Sequence, residues 1–168
     1  LLSRFDDTGK VSTEDVIRYG FTGISAKASG VPIDSRVDFP NWQYPAFLVQ
    51  TESTGDVFAR AHLRYVEAMQ SLDIIQELLK RIDPQSPICT ETASFSPNQI
   101  AVSIVEGARG RVLHIAKSKD ESTALWYKIY DPSMVNWLAL SLAVQDEQVS
   151  DFPLCNKSFD LSYCGSDL

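Results

Sequence analysis

The fold is decided by residues 55–83, which read GDVFARAHLRYVEAMQSLDIIQELLKRID. Asp56 is a suitable N-cap and Asp83 precedes Pro84, so the segment predicts one long helix from about Asp56 to Arg81. One stripe of this helix is apolar at helical spacing: Phe58, Ala61, Tyr65, Met69, Leu72, Ile75 and Leu79. Further apolar residues lie off that stripe, so we expect a central helix that is buried on several sides.

A polar strip interrupts the apolar surface of this predicted helix. It consists of Arg60, Arg64, Glu67 and Ser71, which follow one another at helical spacing. Two arginines one turn apart repel each other weakly, and Glu67 offsets part of that repulsion. Two interpretations stay open: a solvated strip of ion pairs, or a buried or interfacial arginine pair that binds carboxylates from another segment.

The remaining segments predict a small antiparallel sheet and two further helices. Strand-forming runs occur at 100–105, 111–117 and 124–130. The last two runs are joined by a polar segment typical of a hairpin turn. Ser12 begins a short helix that ends near Gly20, and Asp131 with Pro132 begins another, which we expect to reach about Gln148. The predicted fold class is α+β, mainly α, with one long central helix and a small antiparallel sheet.

Composition and charge narrow the possible partners. The chain has 168 residues and a formal net charge of −7, which suits one acidic globular domain. Without a cluster of Lys and Arg, an acidic chain is unsuited to binding nucleic acid. No apolar run reaches the roughly 18 residues that cross a bilayer. We therefore expect no direct membrane span, and any association with a membrane would run through partner subunits.

Few of the common catalytic or metal-binding patterns are present. Cys89, Cys155 and Cys164 have no zinc or iron–sulfur spacing, and we interpret them as free thiols. His62 and His114 are the only histidines, which excludes a site with several histidine ligands. No glycine-rich phosphate loop occurs. A Ser/His/Asp arrangement stays open, although no nucleophile elbow is visible.

Two stretches of the chain resemble parts of one protein. The first has GKVSTED at 9–15, YGFTG at 19–23, ASGV at 28–31 and DSR at 34–36. It resembles the G-V-I-S, Y-G-F-S-G, R-G-S-G-I and D-L-R segments of the quinone-proximal large subunit of complex I. The second has GDVFAR at 55–60 and QSL at 70–72. It resembles that subunit's G-D-x-Y-x-R helix and its M-R-Q-S-L-R-I-I continuation.

A third stretch extends the resemblance to hydrogenases. EGARG at 106–110, with Leu113 and His114, resembles E-A-P-R-G-x-L-x-H of nickel–iron hydrogenases. The chain as a whole resembles the large-subunit family shared by membrane-bound hydrogenases of the hydrogenase-4 and formate hydrogenlyase type and by complex I. The resemblance implies that residues 1–168 are the C-terminal part of such a subunit and lack its N-terminal half, in line with a start that carries no methionine.

The resemblance also indicates degenerate nickel-site positions at the end of the chain. Family members with nickel end in D-P-C-x-x-C-x-x-H, and the matching run here begins at Asp160. Ser162 and Gly165 stand at the two cysteine positions, Leu168 stands at the histidine position, and Cys164 is out of register by one. A glycine offers no donor and one thiolate does not replace two. We therefore expect no metal ligand in this chain.

Candidate site residues follow from the same matches. Arg109 corresponds to the arginine above the hydrogenase metal centre, where its charge would stabilise anionic species or quinone oxygens; the alternative is an arginine paired to Glu106. Arg64 and Glu67 on the polar strip are further catalytic candidates. His114 is a weak candidate for cofactor binding, and a satisfied core histidine is the other interpretation.

The function expected from the resemblance is that of a subunit of a membrane-associated oxidoreductase complex. The subunit would line a redox cavity beside a small iron–sulfur subunit and membrane-arm subunits, on the cytoplasmic side and peripheral to the inner membrane. No cofactor is expected in this fragment, the iron–sulfur cluster would belong to the partner, and quinone is a possible ligand. The alternatives are a complex I subunit that acts on quinone, and a structural docking subunit without a redox site. An upstream C-x-x-C pair that still binds some metal stays open as well.

Overall fold

The computed structural model describes residues 4–40, 44–87, 89, 94 and 96–167. Seven helices and three strands lie in these ranges. In chain order they are α1 Thr13–Tyr19, α2 Ile24–Lys27, α3 Ser35–Asp38, α4 Val57–Leu79, β1 Ile100–Gly107, β2 Gly110–Ser118, β3 Ala124–Tyr130, α5 Ser133–Ala143, α6 Phe152–Phe159 and α7 Tyr163–Ser166. The predicted fold class is confirmed: a mainly helical α+β chain with one long helix and one small antiparallel sheet.

Helix α4 begins where the sequence predicts. The Asp56 carboxylate accepts a hydrogen bond of 2.8 Å from the Ala59 amide, which caps the first turn. The helix ends at Leu79, two residues before the predicted Arg81. The orientation of its apolar stripe differs from the expectation, because five members of the stripe are 49–65% exposed: Tyr65, Met69, Leu72, Ile75 and Leu79.

The buried side of α4 is instead narrow and lies in its first half. Val57, Ala59, Arg60 and Leu63 are almost fully buried there, where the helix packs on α2 and α6. Periodicity identifies an apolar face but does not tell which part of a protein covers it. The expectation of burial on several sides is therefore not met within this chain.

The sheet places a tight turn near the centre of the domain. Its strand order is β1–β2–β3, with both pairs antiparallel, and the turn at Ala108 and Arg109 joins the first two strands. A Cβ atom on Gly23 would lie 2.3 Å from the Arg109 carbonyl oxygen, and one on Gly110 would lie 2.6 Å from Thr22 Oγ1. These two glycines therefore allow the turn to pack directly on the backbone before α2.

The C-terminal third folds around α5, which is shorter than predicted. Helix α5 ends at Ala143 rather than near Gln148, since the chain turns and Asp146 takes a left-handed backbone conformation with φ 63°. The main core joins α1, α5 and α6 through Val11, Val16, Phe21, Ala26, Val57, Ala139, Leu140, Ala143, Cys155, Phe159 and Leu161. In the described ranges, no helix combines the length and apolar character needed to cross a bilayer.

Candidate functional site

A cavity of about 240 Å³ lies between α2, α4 and the β1–β2 turn. Two of the predicted site residues, Arg64 and Glu67, line it from α4, and Ala108 lines it from the turn. The other lining residues are Ile24, Ala68 and Ser71. The cavity thus joins the second and third sequence stretches, which are about 40 residues apart in the chain.

The arginine pair of the polar strip is withdrawn from solvent. Arg60 is 1% exposed and donates hydrogen bonds to the carbonyl oxygens of Gly55 at 2.7 Å and Gly9 at 2.8 Å. It also donates to Ser158 Oγ at 2.9 Å, and its guanidinium lies 4.0 Å from the centre of the Phe159 ring. Burial lowers the pKa of Arg60 to about 10, which leaves it charged at neutral pH.

Arg64 is held by the same segment of the chain. One of its terminal nitrogens donates to the carbonyl oxygens of Ser158 at 3.0 Å and Phe159 at 2.8 Å. Burial lowers the pKa of Arg64, and the charge of Asp160 opposes this shift. Arg60 is thus buried and Arg64 partly buried, but the expected binding to carboxylates is not found: their hydrogen bonds go to carbonyl oxygens and, for Arg60, to the Ser158 hydroxyl.

Arg109 is paired with Asp160 rather than with Glu106. Its Nε donates a hydrogen bond to the Asp160 carbonyl oxygen, and a terminal nitrogen lies 3.5 Å from the Asp160 carboxylate. The hydrogen bond from Lys157, and then the charges of Lys157, Arg109 and Arg64, lower the pKa of Asp160. Asp160 thus stays ionised beside two arginines that are 45 positions apart in the chain.

Asn136 holds the turn that carries Arg109. Its amide group is 1% exposed and donates hydrogen bonds to the carbonyl oxygens of Thr22 at 3.2 Å and Arg109 at 3.3 Å. Its side-chain oxygen accepts from the Thr22 amide at 3.2 Å. Asn136, which α5 positions, therefore fixes the main chain of Arg109. Asp160 fixes the guanidinium at the other end of the same residue.

Ser162 and Gly165 have structural roles in the fold. The Ser162 hydroxyl accepts a hydrogen bond of 3.0 Å from the Gly165 amide and caps α7. A Cβ atom on Gly165 would lie 2.4 Å from Cγ of Asp131, closer than van der Waals contact allows. Asp131 in turn accepts a hydrogen bond of 2.8 Å from the Ser133 amide at the start of α5. These two positions therefore do not fit a nickel–iron centre, because neither has a thiolate and one has no space for a side chain.

The remaining predicted residues lie away from the cavity. His114 is on β2, where its ring nitrogen is hydrogen-bonded to the Tyr127 hydroxyl, and it does not line the cavity. Cys164 is exposed and Cys155 is buried. Among the side chains that the structure describes, no group of three or more His, Cys, Asp and Glu is arranged to hold a metal ion. Leu168 lies outside the described residues.

Sequence reasoning missed a buried lysine behind the cavity. The Lys27 side chain is 1% exposed, and its Nζ lies 2.9 Å from Asp34, 2.7 Å from Glu67 and 3.8 Å from Glu106. Part of this cluster was visible in the sequence, because its acids Asp34 and Glu106 belong to two of the matched stretches. A lysine inside a helix of four residues gave no sign of burial. Glu67 therefore belongs both to the cavity wall and to this cluster.

The family model described as the 49 Kd subunit of respiratory-chain NADH dehydrogenase matches residues 1–102. The chain belongs to this family, and the resemblance to hydrogenase and complex I large subunits is confirmed.

Two hydrogenase proteins are among the relatives of this chain. The chain is 29% identical to the carbon monoxide-induced hydrogenase of Rhodospirillum rubrum, over 95% of this chain and 45% of that protein. It is 30% identical to hydrogenase-4 component G of Escherichia coli K12, over 86% of this chain and 26% of that protein.

A solved structure gives a similar result. A chain in the structure of the membrane-bound sulfane sulfur reductase, an archaeal respiratory membrane complex, matches with a TM-score of 0.85 and 26% identity. The match covers 99% of this chain and 47% of that one. The present chain thus spans less than half the length of each of these relatives.

Proposed function

We propose that the chain is part of the large subunit of a membrane-associated oxidoreductase complex and lines a redox cavity without nickel. The observation that carries this proposal is the grouping of Arg64, Glu67 and Ala108 of the β1–β2 turn around one cavity. In addition, Ser162 and Gly165, which the resemblance matches to nickel-ligand positions, have no thiolate. The similarity to two hydrogenase proteins supports the large-subunit part of this proposal. The tail at Ser162 and Gly165 supplies the reason to separate this chain from nickel chemistry.

The cavity suits a substrate that becomes more negative when it is reduced. Arg64 gives its hydrogen bonds to neutral carbonyl oxygens, so no carboxylate directly neutralises its charge. Fixed cations in a site that excludes water stabilise developing negative charge more strongly than water does. One turn further along the same side of the cavity, Glu67 supplies a carboxylate held 2.7 Å from Lys27, suited to orient a proton donor on the substrate.

The electron carrier would lie in a neighbouring subunit. An iron–sulfur cluster held by a small partner subunit would pass electrons to the cavity, and membrane-arm subunits would hold the assembly at the cytoplasmic face of the inner membrane. The similarity to a chain of a respiratory membrane complex supports this assembly. Because that solved complex is titled a sulfane sulfur reductase, sulfane sulfur is the first acceptor to test.

Quinone is the second candidate acceptor. The family match to the 49 Kd subunit of respiratory-chain NADH dehydrogenase favours it, and Arg109, at the β1–β2 turn, would be the residue that binds a quinone oxygen. The two acceptors make different demands, since a quinone needs a long apolar approach whereas sulfane sulfur needs mainly compensation of charge. The alternative of a structural docking subunit needs neither.

The experiment uses the complex purified through a tag on the full-length chain. Electron transfer from a reduced viologen is measured to polysulfide, to a short-chain quinone and to protons. We expect Arg109→Ala and Glu67→Gln to lower turnover of one acceptor by at least about tenfold with subunit composition unchanged. Arg18→Ala, an exposed arginine that stacks on Tyr19, is the matched control.

The outcomes separate the candidates. Loss with polysulfide supports the first acceptor, and loss with quinone supports the second. Unchanged turnover in both cavity variants would instead favour the docking subunit. Hydrogen evolution together with stoichiometric nickel, found by elemental analysis of the full-length protein, would refute the nickel-free proposal.

A further inference from the structure

A cluster of ionisable side chains lies behind the cavity, enclosed by α2, α3, α4 and the end of β1. Its centre is the Lys27 ammonium group, which donates hydrogen bonds to Asp34 and to Glu67. The third carboxylate, Glu106, is only 5% exposed and has its Oε1 atom 3.8 Å from Lys27 Nζ. Glu106 is therefore buried near a cation that is hydrogen-bonded to two other acids.

The three carboxylates are not equally stabilised in the ionised form. Asp34 accepts hydrogen bonds from Arg36 Nε at 2.9 Å and from an Arg36 terminal nitrogen at 2.8 Å, in addition to the one from Lys27. Although burial opposes ionisation, these bonds lower the pKa of Asp34 to about 2. Glu106 accepts its one backbone hydrogen bond from the Ser35 amide, at 2.9 Å.

Burial is accordingly the dominant influence on Glu106. It raises the pKa of this carboxyl group, and the nearby charge of Asp34 adds to the rise. Hydrogen bonds from Ser35 and the charge of Lys27 oppose the shift without cancelling it. Glu106 therefore takes up a proton more readily than Asp34, whose pKa its hydrogen bonds lower.

Charged side chains from several elements face the cluster. The groups are Lys27 from α2, Asp34, Arg36 and Asp38 from α3 and its cap, Glu67 from α4, and Arg111, which stands opposite Glu106 in the β1–β2 ladder. Arg111 itself is bound to Asp38 and to the Ser35 hydroxyl. Arg64 faces Glu67 from the cavity side, so four carboxylates and four cations surround the cluster. Glu106 is the carboxylate whose nearest cation, Lys27, is hydrogen-bonded to two other acids.

We propose that Glu106 is a buried binding site for one proton, and that the charge on the cavity wall at Glu67 sets its affinity through Lys27. The proton comes from water and forms one O–H bond on the carboxyl group, with no electron transferred. When Glu67 is ionised, it holds Lys27 at 2.7 Å and keeps it from moving closer to Glu106. When the charge of Glu67 is removed, Lys27 stays bound to Asp34 but loses its other acid partner, so it can move closer to Glu106, which then releases its proton to water.

Through this coupling, a change of charge in the cavity alters the protonation of Glu106, a residue that a substrate in the cavity would not contact. Negative charge that arrives beside Glu67 favours protonation of Glu106, and loss of that charge favours release. The site depends on the chain's own residues and goes beyond the proposed redox function. It is tested without turnover.

The test is a pH titration of the purified complex that contains the full-length chain, followed by infrared difference spectroscopy in the carbonyl region of protonated carboxylic acids. We expect a band that titrates above the ordinary range of glutamate and is absent in Glu106→Gln. Glu67→Gln is expected to move the midpoint of this band to lower pH. Glu14→Gln, an exposed glutamate in α1, is the matched control and is expected to leave both the band and the midpoint unchanged.

Two results would overturn the proposal. One is a band that persists in Glu106→Gln, and the other is a midpoint that Glu67→Gln does not move. If Glu106→Gln does not assemble, Glu106→Asp keeps a titratable group, and the proposal then requires the band to change frequency with the new side chain. Acceptor turnover does not enter any of these measurements, so a failure here is distinguishable from a failure of the proposed function.

Discussion

Introducing a cysteine at Gly165 is expected to destabilise the chain rather than to begin a nickel site. The new Cβ atom would lie 2.4 Å from Asp131 Cγ and 2.7 Å from each carboxylate oxygen. Asp131 has a short side chain, and it is also held by its hydrogen bond from the Ser133 amide. The carboxylate therefore has to give up the cap of α5 in order to make space.

The magnitude follows from these two contributions. Forcing extra atoms into a packed site costs about 1–3 kcal/mol, and losing a helix cap costs about 0.5–2 kcal/mol. We expect Gly165→Cys to lower the free energy of unfolding by about 2–4 kcal/mol. Gly107→Ala is the matched control, since its Cβ atom would meet other atoms at 3.4 Å, an ordinary contact.

The assay is urea unfolding of the full-length chain, in a double-mutant cycle with Asp131→Ala. Removal of the Asp131 carboxylate gives space to the cysteine, so the cost of Gly165→Cys is expected to fall in that background. The reasoning is refuted if Gly165→Cys is neutral in the unmodified chain. It is equally refuted if the paired change Ser162→Cys with Gly165→Cys binds nickel stoichiometrically while Asp131 is present.

Three further changes test other parts of the structure. Arg60→Met leaves its buried oxygen acceptors unpaired and is expected to cost about 3 kcal/mol of unfolding free energy, whereas Arg18→Ala is expected to cost almost nothing; equal effects in urea unfolding would contradict this. The pKa of Asp34 is lowered to about 2, so its contribution of about 2 kcal/mol is complete above about pH 4 and is lost as the pH falls through 2. Asp34→Asn should remove that part of the acid dependence, measured as unfolding free energy against pH. Cys164 is exposed and Cys155 is buried, so a thiol reagent should label Cys164 in the folded chain and Cys155 only after unfolding. Mass spectrometry of the labelled peptides measures this, and labelling of Cys155 before Cys164 would contradict it.

Local signals were sufficient to predict the main elements of the fold. The α4 cap at Asp56 and the strand runs in 100–130 are each specified within a few consecutive residues, and the structure has them close to the predicted bounds. The end of α5 could not be read in the same way, because helix-forming residues continue past Ala143. The chain leaves the helix there through the left-handed backbone of Asp146, a conformation that aspartate adopts more often than most residues but that its presence alone does not predict.

The candidate site was predictable only where its residues belong to matched stretches. Arg64, Glu67 and Arg109 were identified, but their partners were not, since the partners come from distant segments. Asp160 was expected at a degenerate metal position and instead pairs with Arg109. Lys27 shows the same limit, because its burial depends on carboxylates from α4 and β1 that meet only in the folded chain.

Arg64 and Glu67, which line the cavity one turn apart on α4, differ in how their charges are held, and this difference constrains the chemistry. Arg64 is fixed by carbonyl oxygens, which orient its guanidinium and leave its full charge in place. Glu67 is fixed by a cation, Lys27, which it shares with two further acids. The charge of Arg64 therefore gives a constant positive field, whereas the field around Glu67 changes with the protonation of its neighbours. On the proposed function, an electron that arrives in the cavity is stabilised first by Arg64 and then by a proton taken up at Glu106, behind Glu67.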